Sequence, residues 1–426
     1  MKSPALSIDA LNKVVAAWPE DNLATSRRAA LDQLRQDGIP GSREENWKYT
    51  DLSGAVAIAN RWLEAGAEVP CAGIAAANDI VRNIDADWIV IDNGQIDAKA
   101  VDATAIAGVE IKRHNSSSER LIPSGRLGDL NAALLRDGLR ISIAASAELA
   151  RPIGILIVDH SDSAATVSQI RVDIDLAANS SASFIEYHTS DGVAEIYANS
   201  VVNVTLGDGS RADYVRIQDR DRLHEQTGYQ SFTVGRDAEL RHCAFDFGGR
   251  LVRNDLVIDL ANPGGNAEFA GLYLIGDGQH IDNHTRADHR AGPTESRQEY
   301  RGILTGKARG VWNGKAIVHE GADGTDAEQA NHNLVLSKQA EIDAKPELEI
   351  YTDDVKCSHG TTVGQLDETA LFYLRTRGLS RHDAKQVLTR AFAQAIVGKS
   401  PISSLHDFLA DRIAGRLDQL MQETDA

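Results

Sequence analysis

The chain has 426 residues, a length that suits two or three domains with a large buried core. It carries 44 Lys and Arg against 62 Asp and Glu, which gives a formal net charge of -18 at pH 7. This acidic excess disfavours binding to nucleic acid phosphates or to an anionic membrane surface. The expected partners are therefore proteins or cations.

The cysteine content indicates a reducing compartment. Cys71, Cys243 and Cys357 are far apart and odd in number, which argues against a framework of disulfides. The first residues lack the apolar core of a signal peptide, and no apolar run approaches the length needed to span a membrane. We expect a cytoplasmic protein that does not cross a membrane.

The N-terminal part, residues 1–86, is predicted to be a helical region. Apolar residues recur at helical spacing between Ile8 and Val15 and again between Leu23 and Leu34. The charged and aromatic stretch at 42–51 follows these helices and could form a surface for a partner. Packing of its Trp and Tyr side chains onto the core is the favoured interpretation, because both rings carry large apolar areas.

The pattern changes to that of β-strands at residue 87, and we assign residues 87–366 to a β core. Residues 88–96 predict a hairpin around Asn93-Gly94, and a short helix is expected from Leu127 to Arg136. From Arg151 onward, alternating apolar and polar residues form many short runs that are divided by Gly, Asn and Pro. Such strands without intervening helices predict a β-helix or a large sandwich, and periodicity alone leaves both open.

Helical periodicity returns in residues 367–426. Asp367 and Ser380 are candidate N-caps, and Asp383 follows Ser380 at the spacing of a capping-box variant. The apolar positions of this C-terminal helical region could pack on the β core or could dock a partner.

The stretch Ile350–Gly360 contains the strongest candidate site. It is predicted to be extended, so Cys357 and His359, at alternate positions, should point to the same face. A thiolate beside an imidazole suits zinc, copper or iron-sulfur chemistry. The same spacing also fits a small buried thiol beside an ordinary strand histidine.

Two further clusters offer alternative sites. A group of histidines and aspartates could bind a divalent metal or serve acid-base chemistry: His280, Asp282, His284, Asp288 and His289. A second group is similar to the carboxylate sets of β-helical carbohydrate-active enzymes, either lyases or hydrolases: His319, Glu320, Asp323 and Asp326.

Motifs across the second half of the chain resemble one protein family. They lie at residues 305–314, 328–337, 344–350, 354–360 and 371–378. Together they resemble the SufB/SufD family of iron-sulfur cluster assembly scaffolds, and Ser42–Asp51 is similar to the N-terminal signature of that family. Within the family, Lys-Cys-Ser-His-Gly at Lys356–Gly360 resembles the SufD members, whereas SufB-type chains read Cys-Glu-His there.

The resemblance implies a right-handed parallel β-helix core between helical terminal regions. It implies a non-hydrolytic scaffold subunit, not an enzyme, that pairs with a SufB-like paralogue. Its C-terminal helical region would bind a SufC-like ABC-type ATPase. A transient iron-sulfur cluster would form at the interface with the paralogue, where Cys357 and His359 fall on the SufD positions that face this cluster. The resemblance leaves open whether a homodimer forms and whether a flavin binds the complex.

Two absences limit what this chain can do by itself. The near-repeat Gly306-Lys-Ala and Gly314-Lys-Ala is expected to mark equivalent turns on successive rungs, and neither copy has the spacing of a phosphate loop. ATP hydrolysis must then come from another chain. Because the sequence has no closely spaced Cys pair, we do not expect it to receive sulfur from a persulfide donor.

Overall fold

The computed structural model describes residues 5–69, 75–97, 101, 105–114, 121 and 124–425. Four α-helices and one short 3-10 helix (Glu45–Trp47) precede the first strand in these ranges, and the α-helices are α1 (Ile8–Ala17), α2 (Ala24–Asp37), α3 (Ser53–Glu64) and α4 (Ala75–Asn83). The periodic apolar residues of α1, α2 and α3 form one cluster, in which Leu11, Leu34 and Trp62 pack towards Val167 and Tyr197 of the β region, whereas Ile80 of α4 belongs to a second cluster. The helical spacing in the sequence is thus explained by burial against the strands.

The strands begin at Asp87 and occupy most of the chain up to Gly364. They are β1 (Asp87–Asp92), β2 (Gln95–Ile96), β3 (Val109–Arg113), β4 (Leu139–Ile143), β5 (Ile153–His160), β6 (Thr166–Leu176), β7 (Ser181–Asp191), β8 (Ile196–Leu206), β9 (Arg211–Asp219), β10 (Glu225–Val234), β11 (Glu239–Asp246), β12 (Leu251–Leu260), β13 (Asn266–Ile275), β14 (His280–His289), β15 (Glu295–Leu304), β16 (Arg309–Val318), β17 (Thr325–Val335), β18 (Glu341–Ile350) and β19 (Val355–Gly364).

Two elements predicted near the start of the β region, a hairpin and a short helix, are both present. β1 and β2 form the expected antiparallel hairpin, with Ile91 opposite Ile96 and positive φ angles of 47° at Asn93 and 73° at Gly94. The expected short helix is α5 (Gly125–Leu134), which lies two residues earlier than predicted. It ends there because the backbone at Leu135 is already extended.

The chain winds as a parallel β-helix. From β4 onward each strand pairs in parallel with the strand two places along the chain, for example β10 with both β8 and β12. Within the described ranges this pairing gives two facing sheets: the odd sheet, with strand order β19 to β5 and then β1 and β2, and the even sheet, from β18 to β4 and then β3. The β-helix prediction is confirmed, and the alternative sandwich is wrong because sandwich sheets are antiparallel.

One sequence expectation fails on this fold. The two Gly-Lys-Ala copies do not occupy equivalent turns on successive rungs. Gly306 and Lys307 form the turn before β16, whereas Gly314 and Lys315 lie inside β16 itself. The two copies are therefore similar in sequence but occupy different structural positions around β16.

The space between the two sheets, here called the lumen, is filled by inward-facing side chains. Alternate residues of both sheets meet there, and near the N-terminal end they are mostly aliphatic: Ile89, Ile91, Leu139, Ile141, Ile155, Ile157, Ile170 and Val172. Aromatic rings follow further along, such as Tyr214 and Phe232, which meet edge to face at 5.3 Å. These contacts supply the main hydrophobic stabilisation of the core.

Charged groups are also buried inside the β-helix, on or beside β5, β7 and β9. Arg220 is fully buried and donates hydrogen bonds to Asp159 and, at 2.7 Å, to Gln226. Glu186 accepts hydrogen bonds at 2.6 Å from both His188 and Tyr214. The loss of hydration is offset here by paired charges and hydrogen bonds.

The C-terminal helices are α6 (Glu368–Thr376), α7 (Arg381–Val397) and α8 (His406–Asp425). Asp367 and Ser380 cap α6 and α7 as predicted, since their side chains accept from the amides of Thr369 and Asp383. Apolar residues of α7, α8 and the segment between them cover the outer face of the odd sheet. The helical side contributes Ala393, Ile396, Leu405, Leu409, Ile413 and Leu417. The sheet contributes Val215, Ile217, Cys243 and Phe245. Most apolar positions of this region are thus explained by packing on the core.

Residues 44–50 tie the N-terminal helices to the outer face of the even sheet. The guanidinium of Arg253 lies 4.4 Å from the centroid of the Trp47 ring, and that of Arg309 lies 5.7 Å from the Tyr49 ring. Thr50 adds a buried hydrogen bond to Asp282. The predicted packing of Trp47 and Tyr49 onto the core is confirmed.

Replacement of Arg220 by Met is expected to destabilise the fold by ~3–5 kcal/mol, because the buried Asp159 carboxylate loses its charged partner. Arg241→Met is the control, because the Arg241–Asp213 pair is partly exposed and should contribute about 1 kcal/mol or less. Urea unfolding followed by circular dichroism measures both variants. Equal midpoints for the two would contradict the role of the buried pair.

Candidate functional site

Cys357 and His359 lie on β19, the outermost strand of the odd sheet. There Cys357 is in register with Ala327 and His359 with Gln329 of β17. Among the described residues, no strand pairs with the other edge of β19 or with the outer edge of β18. The β-helix therefore ends in two strand edges whose backbone groups can pair with another chain.

The strand register shows which way the two side chains point. Residues in register on parallel strands share one face of a sheet. One row along the odd sheet consists of Ala212, Leu240, Ala267, Ser296, Ala327 and Cys357. The next row consists of Tyr214, His242, Phe269, Gln298, Gln329 and His359. Because both rows begin in the lumen core, Cys357 and His359 are at lumen-facing positions of the last rung.

This last rung forms the mouth of the lumen. Cys357 is half-buried and His359 is exposed. On the facing wall, Ile342, Ala344 and Pro346 of β18 hold the corresponding inward positions. The mouth thus has two ligand-type side chains on one wall and apolar side chains on the other.

The mouth is an incomplete metal site. In the described parts of the chain, no group of three or more His, Cys, Asp or Glu side chains could hold a metal ion. An iron-sulfur cluster is typically held by about four ligands, mostly thiolates. The Cys357 and His359 pair could supply part of such a set, and the remainder would come from outside the described chain.

The thiol at the mouth is not activated by its surroundings. Burial raises the pKa of Cys357, and the nearby Asp326 carboxylate raises it further, whereas a backbone hydrogen bond from Ala327 acts in the opposite direction. The protonated thiol therefore predominates at neutral pH. A bound metal would have to displace this proton, as metals do when they bind thiols.

Cys243 does not share this position. Cys243 is fully buried on the outer face of the odd sheet, with its Sγ 3.9 Å from the carbonyl oxygen of Ile396. Burial raises the pKa of its thiol, which makes it a structural residue of the helix interface. Cys71 lies outside the described residues.

The histidines of β14 do not form the alternative metal site. His289 faces the lumen, and both of its ring nitrogens contact hydroxyl groups, Thr294 at 2.8 Å and Ser296 at 2.9 Å. His284 lies on the outer face, where it is 3.1 Å from Asp282, a carboxylate that also pairs with Arg253 at 2.6 Å. The cluster is thus divided between two faces of one strand.

Of the carboxylates proposed for a carbohydrate-active enzyme, Asp323 and Asp326 are engaged elsewhere. Asp326 pairs with Arg297 at 2.8 Å, and Asp323 accepts a hydrogen bond from Thr352. His319 contacts Asp288 at 3.0 Å. Because these side chains have separate partners, they do not form the facing pair of carboxylates that glycoside hydrolysis uses.

A separate cavity of about 440 Å³ lies between residues 44–50, α5 and the outer face of the even sheet. Its lining cations include Arg253 and Lys345, which are already paired with Asp255 at 2.7 Å and Glu347 at 3.1 Å. A flavin phosphate would have to displace such pairs. The cavity is lined by different residues from the mouth.

Gln329, the direct neighbour of His359 in the register, is a candidate site residue that was not predicted from the sequence. It is a buried amide at an inward position of β17. One feature of the sequence could have indicated it. In Glu328-Gln-Ala-Asn, the polar Gln329 stands at a position where the alternating pattern predicts an apolar core residue. Its link to His359 depends on pairing between strands that are distant in sequence.

Comparison with known proteins gives one consistent result. The family described as "SUF system FeS cluster assembly, SufBD core domain" matches residues 158–392. The iron-sulfur cluster assembly protein SufD of Escherichia coli is 27% identical over 391 residues, which cover 91% of each chain. A SufBD family protein of Synechocystis is 29% identical over 428 residues, or 95% of this chain and 93% of its own. Bacillus subtilis SufD is 25% identical over 295 residues, or 66% and 64%.

The matched region is more than half of the chain and contains most of the β-helix, including β19 with Cys357 and His359. The sequence motifs, the fold and the family match agree. This chain belongs to the SufBD family of SUF-system iron-sulfur cluster assembly proteins.

Proposed function

We propose that this chain is a SufD-like scaffold subunit that holds a nascent iron-sulfur cluster jointly with a SufB-like paralogue. The observation that supports this proposal is the position of Cys357 and His359 at lumen-facing places on an unpaired terminal rung. The cluster is cargo of the complex and not a resident cofactor of this chain. The chain itself acts as a scaffold and not as an enzyme.

The exposed strand edges suit pairing with the paralogue. β18 and β19 are each ten residues long, and β19 is exposed over most of its length. Long open edges in a soluble protein invite pairing with another strand. A SufB-like chain with the same β-helix can continue both sheets, which would bring its own ligands to the mouth.

Shared ligation suits a cluster that must be passed on. Two ligands from this chain would leave about half of the usual four to the paralogue. The imidazole of His359 is also easier to displace than a thiolate. Separation of the two subunits would then remove part of the ligand set and release the cluster.

The C-terminal helices supply a surface for an ABC-type ATPase. Phe372 and Tyr373 of α6 are 67% and 57% exposed, and Val387 of α7 is 45% exposed. These side chains remain uncovered although the other face of α7 packs on the core. Because α6 begins only four residues after β19 ends, closure of two ATPase subunits could shift the edge that pairs with the paralogue.

A cytoplasmic setting fits this proposal. Cys243 and Cys357 are both free thiols. No helix in the described ranges combines the length and the apolar character that crossing a bilayer requires.

His359→Ala should lower cluster yield in the assembled complex, because the mouth loses one of its two ligands. Its thermal midpoint should change by only a few degrees or less, since the exposed side chain contributes little packing. Iron, sulfide and cluster absorbance after anaerobic reconstitution give the yield. Wild-type yield at equal recovery of the complex would exclude the ligand role.

The chain by itself should not retain a cluster, because Cys357 and His359 are two ligands where about four are needed. Anaerobic reconstitution of the isolated chain, followed by desalting and iron analysis, measures retention. A homodimer that brought two such pairs together would provide two thiolates and two imidazoles. One stable cluster per chain or per dimer would contradict the shared site.

Glu in place of both Phe372 and Val387 should weaken ATPase binding at least ~10-fold, because two exposed apolar contacts become charged. Pairing with the paralogue should be unchanged. Val193→Glu is the matched control, since Val193 is 76% exposed in the turn between β7 and β8.

Substitution is preferable to removal of these helices, because removal would uncover Cys243 and Phe245 of the odd sheet. Affinity is measured by titration of the labelled ATPase. If the double variant binds as tightly as the Val193→Glu control, the ATPase docks elsewhere.

A further inference from the structure

Gln329 is a buried amide to which the described part of the chain offers no hydrogen-bond partner. It lies on β17, one strand in from the open edge, and is 3% exposed. Neither its Nε2 nor its Oε1 has a partner among the described residues. An unsatisfied buried polar group costs ~1–3 kcal/mol, so such groups are rare in folded proteins. The amide of Gln329 is therefore available for an interaction that the described residues do not provide.

Neighbouring amides in the lumen have partners, which makes Gln329 distinctive. Asn331 donates to the carbonyl oxygen of Tyr300 at 3.2 Å, and Asn333 donates to the Asn331 side chain at 2.6 Å. Gln298, one rung deeper in the row of Gln329, donates across the lumen to Thr285. Unlike Gln329, each of these amides makes at least one such bond.

The group in register with Gln329 at the open edge is His359. Adjacent strands lie about 4.8 Å apart, so side chains in register on one face can meet. A histidine that binds metal through one ring nitrogen usually donates its other N–H to a carboxylate or carbonyl oxygen. That second bond sets the tautomer and the orientation of the ring.

We propose that Gln329 is the positioning residue for His359, with its Oε1 accepting the N–H of the imidazole whose other nitrogen binds iron. The inference rests on the proposed function, since it takes His359 as a cluster ligand. This role explains why Gln329, whose amide has no partner among the described residues, lies on β17 next to the exposed His359. Outer partners of this kind usually change metal affinity 10- to 100-fold when removed.

The location of Gln329 suits this role. β17 is paired on both sides, with β15 and β19, whereas β19 is paired on one side only. The backbone of Gln329 is thus held on both edges, and that of His359 is not. A hydrogen bond from the His359 ring to Gln329 would hold the ring in fewer orientations before iron binds. The loss of side-chain entropy on binding would then be smaller.

Three variants test the proposal in the complex with the paralogue and the ATPase. Gln329→Leu removes both amide groups, whereas Gln329→Glu keeps an acceptor oxygen at the same place. Gln298→Leu is the matched control, because it makes the same change one rung deeper, where the side chain is not in register with His359. His359→Ala identifies the signals of the ligand itself.

Two measurements separate positioning from general stability. Pulsed electron paramagnetic resonance of the reduced cluster detects the hyperfine coupling of a coordinated imidazole nitrogen, and the decay of cluster absorbance gives the rate of loss. We expect Gln329→Leu to broaden or remove the nitrogen coupling and to raise the rate of loss ~10-fold or more. Gln329→Glu should preserve both, and Gln298→Leu should match the wild type.

The outcomes distinguish this inference from the proposed function. If His359→Ala leaves the nitrogen coupling and the yield unchanged, the ligand role of His359 is wrong. If His359→Ala removes the coupling but Gln329→Leu does not alter it, His359 is a ligand and the role of Gln329 is wrong. Equal effects of Gln329→Leu and Gln298→Leu would assign the change to packing and would also overturn the inference.

Discussion

Parallel pairing between strands two places apart is the constraint on which the rest of this structure depends. Each strand lies in register with its equivalent in the previous turn, so a row of side chains that enters the lumen on one rung stays there on the next. The rows that end at Cys357 and His359 follow from this register. The repetition stops at β18 and β19, where no other strand in the described ranges covers the backbone edges or the end of the lumen. The open end and the candidate site therefore both result from the end of this strand repetition.

The lumen changes in character along its length. Aliphatic side chains such as Ile155 fill much of its N-terminal end, although Asp159 on the same strand forms a buried ion pair with Arg220. Amides and ligand-type side chains line one wall near the mouth, and the facing wall is apolar. Buried ion pairs offer little stability compared with apolar packing, so their presence is not explained by stability alone. At the mouth, this asymmetry places Cys357 and His359 together on the odd sheet.

The C-terminal helices combine a structural contact with an exposed surface. α7 and α8 bury Cys243 and Phe245 on the odd sheet, while Phe372 and Tyr373 of α6 remain exposed. The connection from β19 to α6 is only three residues long. A partner that moves α6 would therefore act close to the edge strand with Cys357 and His359. The helices are placed to couple a docking event to the open end of the β-helix.

Local patterns in the sequence determined the strands, the β1–β2 hairpin, the caps at Asp367 and Ser380 and the alternate placement of Cys357 and His359, because these features depend on residues close together in the chain. Family motifs indicated the β-helix, which periodicity left open beside a sandwich. Only the tertiary structure placed Cys243 under α7 and set Gln329 beside His359. Those arrangements depend on the register between distant strands, which the turn lengths and the packing of the whole β-helix decide together.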